Sequence, residues 1–171
     1  DVLVKGIGVR LLRGSATGSL TDTGSLGTGF SFRGMAADLN TDGVLELLVT
    51  RTDLDRLEVW SRISAGPLSS ANYTKTQDLP CGDGPHWVSA SDLDGDGDLD
   101  VVVPSHISDT VHILRNTGGV LAQDHVLIGQ DHALCNAVVD LSGDAKPDII
   151  TSNHFANAFS VHFNQSIFDC N

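Results

Sequence analysis

The sequence predicts an all-β fold assembled from repeated four-stranded units, and three observations carry that reading. An acidic loop running into an apolar segment occurs three times, and the stretches between copies alternate in the manner of strands. No segment longer than a turn or two has helical periodicity, while 18 glycines supply tight turns. The copies read ADLNTDGVLELLV from Ala37, SDLDGDGDLDVVV from Ser91 and VDLSGDAKPDIIT from Val139. Their leading aspartates, Asp38, Asp92 and Asp140, stand 54 and then 48 residues apart, and a leucine follows each.

Each unit opens on a strand of small residues entering the loop (Ala36-Ala37, Ala90-Ser91, Val138-Val139). A strongly apolar strand leaves the loop, and a third, alternating strand follows: TVHILRNTGG answers FSVHFNQS, and GVRLLRGSATG near the start is similar to both. A fourth strand precedes the next copy. Four strands in about 50 residues is the size of a β-propeller blade, with small side chains suited to the crowded strand nearest the axis. DVLV at Asp1 aligns with DVVV at Asp100, so the expected blades are roughly 1–30 (partial), 31–80, 81–130 and 131–171 (partial or nearly complete). That is about three and a half blades, where closed propellers have four to eight. Three accounts fit the count: a fragment of a longer chain, two copies completing one ring, or subunits sharing blades along a fibre. The fragment is the first expectation, in keeping with a chain that begins at Asp1 without an initiator Met.

Numbered from the first aspartate, each loop places side-chain oxygens at positions 1, 3, 5 and 9. These are Asp38, Asn40, Asp42 and Glu46; Asp92, Asp94, Asp96 and Asp100; and Asp140, Ser142, Asp144 and Asp148. Hard oxygens at alternating positions of a tight loop suit Ca²⁺, which takes six to eight of them at about 2.3–2.6 Å. The backbone carbonyl of position 7 (Val44, Asp98, Lys146) and water would complete the shell. Up to three Ca²⁺ ions are expected. Gly43 and Gly97 at position 6 permit the sharp turn, whereas the third loop has Ala145 there and the weaker ligand Ser142, so its affinity should be lowest. An EF-hand needs an acidic residue at position 12 and flanking helices; position 12 here is Val49, Val103 and Thr151.

These loops resemble those of the FG-GAP/VCBS repeat family, whose members include the β-propeller of integrin α subunits, certain fungal lectins and many bacterial surface proteins. The likeness covers nearly the whole chain. Gly84-Pro85 matches the "GAP" element in one copy, and no Phe-Gly pair occurs. The resemblance implies that each loop joins the first two strands of a blade and carries structural Ca²⁺ at the positions named above.

Composition narrows the function. A net charge of −12 disfavours nucleic acid and anionic membranes as partners, and no run reaches the roughly 18 apolar residues a membrane helix needs. The proposed side-chain ligands carry ten of those negative charges, which a cation would offset. Extracellular modules bind Ca²⁺ with dissociation constants of about 10⁻⁴–10⁻³ M, which points to a secreted or cell-surface location. Sequons at Asn72 and Asn164 then imply N-glycans. Cys81, Cys135 and Cys170 allow either one disulfide with a leftover thiol or three free thiols.

No nucleophile elbow, phosphate loop or zinc-protease helix is present. His106 and His154 repeat at one blade position and His112 and His162 at another, which explains them better than an active site built once. The expected function is therefore a non-enzymatic, calcium-rigidified extracellular module for adhesion, protein interaction or assembly, with an unidentified protein or glycan ligand. The alternative is a lectin, or the propeller of a polysaccharide-degrading enzyme, with Trp60, Tyr73 and Trp87 stacking on sugar rings.

Overall fold

A computed structural model describes residues 2–4, 6–129 and 131–164. Its strands are β1 (Val2–Val4), β2 (Gly6–Gly14), β3 (Leu20–Ala37), β4 (Glu46–Arg51), β5 (Arg56–Arg62), β6 (Tyr73–Pro80) and β7 (Ser89–Ser91). They continue as β8 (Asp100–Ser105), β9 (Thr110–Thr117), β10 (Val120–Ile128), β11 (Ala133–Val139), β12 (Asp148–Asn153) and β13 (Ala158–His162). Every neighbouring pair is antiparallel. The sheets run β1 to β6, β7 to β10, and β11 to β13.

The six-stranded sheet is two blades that share β3. The early part of this 18-residue strand pairs with β2, and its last residues, Gly34 to Ala37, pair with β4 across a register shift. One continuous strand thus serves as the outer strand of the first blade and the inner strand of the second. For description, blade 1 is β1, β2 and the start of β3; blade 2 is the end of β3 with β4 to β6. Blade 3 is β7 to β10, and blade 4 is β11 to β13.

The second strand of each blade explains the run of apolar residues after the acidic loop. All six residues of β4 and all six of β8 are buried, because a blade interior to the stack is covered on both faces. Alternation is lost for that reason. Leu11, Leu26 and Leu47 form the core between blades 1 and 2. Leu39, Leu57, Val59, Val101 and Leu114 are central to the next, and Leu93, Val111, Ile113, Ala133 and Ile149 to the last. Burial of each such leucine, isoleucine or valine stabilises the fold by about 1.5–3 kcal/mol relative to exposure.

Polar groups tie the blades together at both ends. Gln77 of β6 donates to the Gly119 carbonyl at 2.8 Å and accepts from the Leu121 N–H at 2.9 Å. A Cβ on Gly119, whose φ is +91°, would lie 2.7 Å from the Asn40 Cβ, so only glycine lets the blade 3 hairpin approach the first acidic loop. At the other end, Asp55 accepts from the Gly84 N–H at 2.9 Å, and Asp109 from the His132 N–H at 2.7 Å.

Candidate metal centres in the acidic loops

One hydrogen-bond pattern builds all three loops. The position 1 carboxylate accepts two N–H groups from its own turn: Asp38 from Asp42 and Gly43, Asp92 from Gly95 and Gly97, and Asp140 from Gly143 and Ala145, all at 2.7–3.2 Å. Position 5 accepts from position 7, as Asp42 does from Val44 (2.7 Å), Asp96 from Asp98 (2.9 Å) and Asp144 from Lys146 (3.0 Å). The carboxylate at position 9 begins the apolar strand, is buried, and accepts from position 2: Glu46 from Leu39, Asp100 from Leu93 and Asp148 from Leu141. These contacts fix each loop as a turn with its acidic groups drawn inward. An oxygen that accepts one such bond keeps a lone pair for a cation, whereas Asp148 Oδ2 accepts both the Leu141 and the Ser142 N–H.

The second loop brings its donors closest. Asp92, Asp94 and Asp100 each offer an oxygen within 4.8 Å of the others. Exposed Asp96 stands outside this trio, as do the ligands proposed for the first and third loops, Asp38, Asn40, Asp42 and Glu46, and Asp140, Ser142, Asp144 and Asp148. The donor set is oxygen alone, which fits a hard divalent cation. Burial raises the carboxyls of Glu46 and Asp100 above the ordinary value, and neighbouring loop aspartates add to the shift. The N–H of Asn164, with those of Leu141 and Ser142, holds Asp148 below it.

Side chains at position 7 differ. Val44 is exposed, and Lys146 lines a cleft of about 480 Å³ with Asp92, Asp94, Arg115 and Asn164. Asp98 accepts the Gly118 N–H at 2.7 Å, so its carboxylate braces the β9–β10 turn.

Two features went unread in the sequence. Arg115 forms ion pairs with Asp94 and with Asp124, placing a cation of the protein's own at the second loop. More telling is a pair of asparagines sixteen residues beyond position 9. The Asn116 N–H donates to Asp100 at 2.8 Å while its side-chain amide donates to the Leu39 carbonyl of the preceding loop at 2.7 Å. Asn164 does the same with Asp148 and with the Leu93 carbonyl, at 2.9 and 2.7 Å. Each clamp joins the acidic loops of two adjacent blades. The shared Asn in TVHILRN and SVHFN was the signal available.

A family model described as FG-GAP-like repeat matches residues 38–103 and again 92–151. The chain belongs to this family. Each FG-GAP-like match spans one acidic loop, its blade and the next loop, so the second loop ends one match and begins the other. With the three sheets described above, the FG-GAP-like repeats make the fold a β-propeller of four-stranded blades. No curated protein matches the chain. Among solved structures, a crystal structure of BBS1N in complex with ARL6DN, soaked with lead, is similar at 14% identity and a TM-score of 0.49, over 78% of this chain. The match spans 43% of that chain.

The remaining sequence candidates find places within the FG-GAP-like blades. His86, His106 and His132 lie ring to ring at 5.5 and 5.6 Å, and Phe155 links His132 to His154. This row lies with the β8–β9 and β12–β13 turns, away from the acidic loops. Asp109, Asp131 and His132 also converge within 4.8 Å, but Asp109 repeats the role of Asp55 in tying one blade to the next. Trp60 and Tyr73 pack on the core between blades 1 and 2, and Arg33 covers the Trp87 ring at 3.8 Å. The three aromatics therefore form no common platform. Cys81 and Cys135 are free thiols, Cys81 with its pKa pushed up to about 12 by burial; Cys170 is outside the described residues.

The two sequon asparagines sit in different surroundings. Asn164 is buried and its amide donates to the Leu93 and Pro147 carbonyls. Asn72, half-buried on the turn Ser70–Asn72, donates to the Pro67 carbonyl at 2.9 Å.

Proposed function

We propose that this FG-GAP-like propeller is an extracellular protein-interaction module whose acidic loops hold structural Ca²⁺, in the service of adhesion or assembly. The convergence of Asp92, Asp94 and Asp100 within 4.8 Å carries the reading. Arg115 pairs with Asp94, but one guanidinium against three converging carboxylates leaves net negative charge that a divalent cation would offset, and burial of Asp100 strengthens the repulsion. The shared hydrogen-bond pattern extends the proposal to the first and third loops.

Ca²⁺ here would be held by Asp92, Asp94 and Asp100, with Asp96 and the Asp98 carbonyl completing the set, and would supply charge neutralisation. The chain's own part is to pre-form the turn through backbone N–H groups and to transmit its rigidity into β8 through Asp100. Carboxylates committed to a cation are poor proton carriers, which favours a binding role over an enzymatic one.

Free calcium about tenfold above the dissociation constant would stabilise the fold by about 1.4 kcal/mol per site. For a chain of this size each kcal/mol moves the thermal midpoint by about 2–4 °C. Heat denaturation in millimolar Ca²⁺ and in chelator is the test, and the midpoint should fall by several degrees on chelation. An unchanged midpoint, together with no heat of Ca²⁺ binding by calorimetry, removes calcium from the account.

A further inference from the structure

The turns that tie one blade to the next, at the end away from the acidic loops, repeat one another. Asp55 accepts the Gly84 N–H, and the Gly84 carbonyl accepts the His106 N–H at 3.0 Å. One blade later Asp109 accepts the His132 N–H, and the His132 carbonyl accepts the His154 N–H at 2.9 Å. Asp109 is therefore the equivalent of Asp55, and His132 of Gly84.

The tie uses only the backbone of residue 132. Gly84 makes it at φ +70°, which glycine adopts freely, whereas His132 makes it at φ +59° against the preference of an L residue. The imidazole thus stands where the turn itself favours glycine. His132 also lies outside the two histidine pairs that repetition explains, His106 with His154 and His112 with His162.

The side chain that replaces glycine meets two carboxylates. Asp109, Asp131 and His132 each place a ligand atom within 4.8 Å of the others. Nδ1 of His132 is buried and accepts or donates no hydrogen bond among the described residues. Asp131 Oδ1 stands 3.6 Å from it, too far for a hydrogen bond. Two tetrahedral ligands about 2.0–2.2 Å from one ion lie about 3.3–3.6 Å apart, so the gap suits an ion held between them. Asp109 commits Oδ1 to the tie, which leaves Oδ2 for a cation. Phe155 packs on the His132 ring at 4.0 Å, and His106 meets it edge-on at 5.6 Å. Such packing asks only for an aromatic at residue 132; it does not account for a buried nitrogen facing a carboxylate.

We propose that Asp109, Asp131 and His132 form a second metal centre, for a divalent cation of the zinc class, which staples blade 3 to blade 4. One imidazole nitrogen, two carboxylate oxygens and a water make a four-coordinate zinc set, and the two aspartates balance the ion's charge. Calcium is the poorer occupant, because it takes six to eight oxygens. The two ends of the propeller thus differ in donor chemistry: oxygen alone in the acidic loops, and imidazole with oxygen here. The inference is independent of calcium binding.

The test is calorimetric titration of the untagged chain with Zn²⁺ in millimolar Ca²⁺, which keeps calcium-selective sites filled. One zinc should bind per chain and raise the thermal midpoint. His132→Gly supplies the residue of the preceding interface, so without zinc its midpoint should equal or exceed that of the parent, while its zinc affinity falls by about tenfold or more. Asp131→Asn, at an exposed position, should weaken zinc to a similar degree, and Asp96→Ala in the second acidic loop should leave zinc affinity unchanged. Nitrogen-15 NMR of the imidazoles should show the His132 resonances shifting with the first equivalent of zinc. Zinc affinity that survives either His132→Gly or Asp131→Asn overturns the inference, as does the absence of zinc-dependent heat and midpoint change at millimolar Zn²⁺.

Discussion

The second and third acidic loops share one hydrogen-bond pattern and differ in what surrounds them. Loop 2 is held between blades: its leucine is buried, its position 2 carbonyl is clamped by Asn164, and three of its carboxylates converge. Loop 3 has the same turn with the leucine exposed, no clamp among the described residues, and Ala145 in a left-handed conformation at φ +69°, where Gly97 occupies +96°. The difference teaches that the loop's shape is local, whereas its rigidity comes from the neighbouring blade. A turn can form on backbone N–H groups alone, but drawing three negative charges together needs support from outside the turn.

The largest expected effect contrasts the two leucines. Leu93→Ala removes a fully packed side chain and should cost about 2–5 kcal/mol, while Leu141→Ala at the equivalent exposed position should stay within about 0.5 kcal/mol. Denaturant unfolding of both variants checks this, and similar losses would break the comparison. Next come the clamps. Asn116→Ala and Asn164→Ala each strand a buried carbonyl and should each cost about 1–3 kcal/mol by the same measurement. A much smaller loss for Asn164→Ala would show that the clamp of blade 4 is slack.

Calcium binding sharpens the contrast within the second loop. Asp96→Ala should weaken titrated Ca²⁺ binding by about tenfold, a ligand's loss of about 1.4 kcal/mol, whereas Asp98→Ala should spare the affinity. Its carboxylate faces Gly118, so the Asp98 variant should lose up to about 1 kcal/mol of stability instead. In the third loop, Ala145→Gly relieves the left-handed alanine and should raise stability by about 1 kcal/mol, read as a higher thermal midpoint.

The smallest effect is a divergence in titration between equivalent carboxylates in metal-free protein. Carbon-13 NMR should find Asp100 protonating above the ordinary carboxylate value and Asp148 below it. The signs follow from linkage. Asp148 adds stability above the unfolded pKa that is lost as pH falls through its lowered value. Asp100 contributes most when protonated, a contribution lost as pH rises through its raised value. Calcium should abolish the titration of Asp100 in this range.

Much of this was legible in one dimension. Ten oxygen-bearing acidic positions and the apolar runs behind them announce loop, strand and repeat together, because turn chemistry and strand burial are local or periodic properties. The merging of two blades through β3 was not legible, since glycines at residues 24, 27 and 29 read as turn signals while the strand simply bends through them. Asn116 and Asn164 were hidden for another reason. Their partners, Leu39 and Leu93, lie 77 and 71 residues away, and a carbonyl leaves no mark on sequence.

The sequence by itself determined the repeat, the placement of the acidic loops and the oxygen-bearing residues within them, since each follows from spacing within about 50 residues. Only the tertiary structure decided which leucines are buried, which asparagines clamp, and that Asp98 faces a turn. Those outcomes depend on what lies against each blade, and no residue carries in its own sequence neighbourhood a record of what packs across from it.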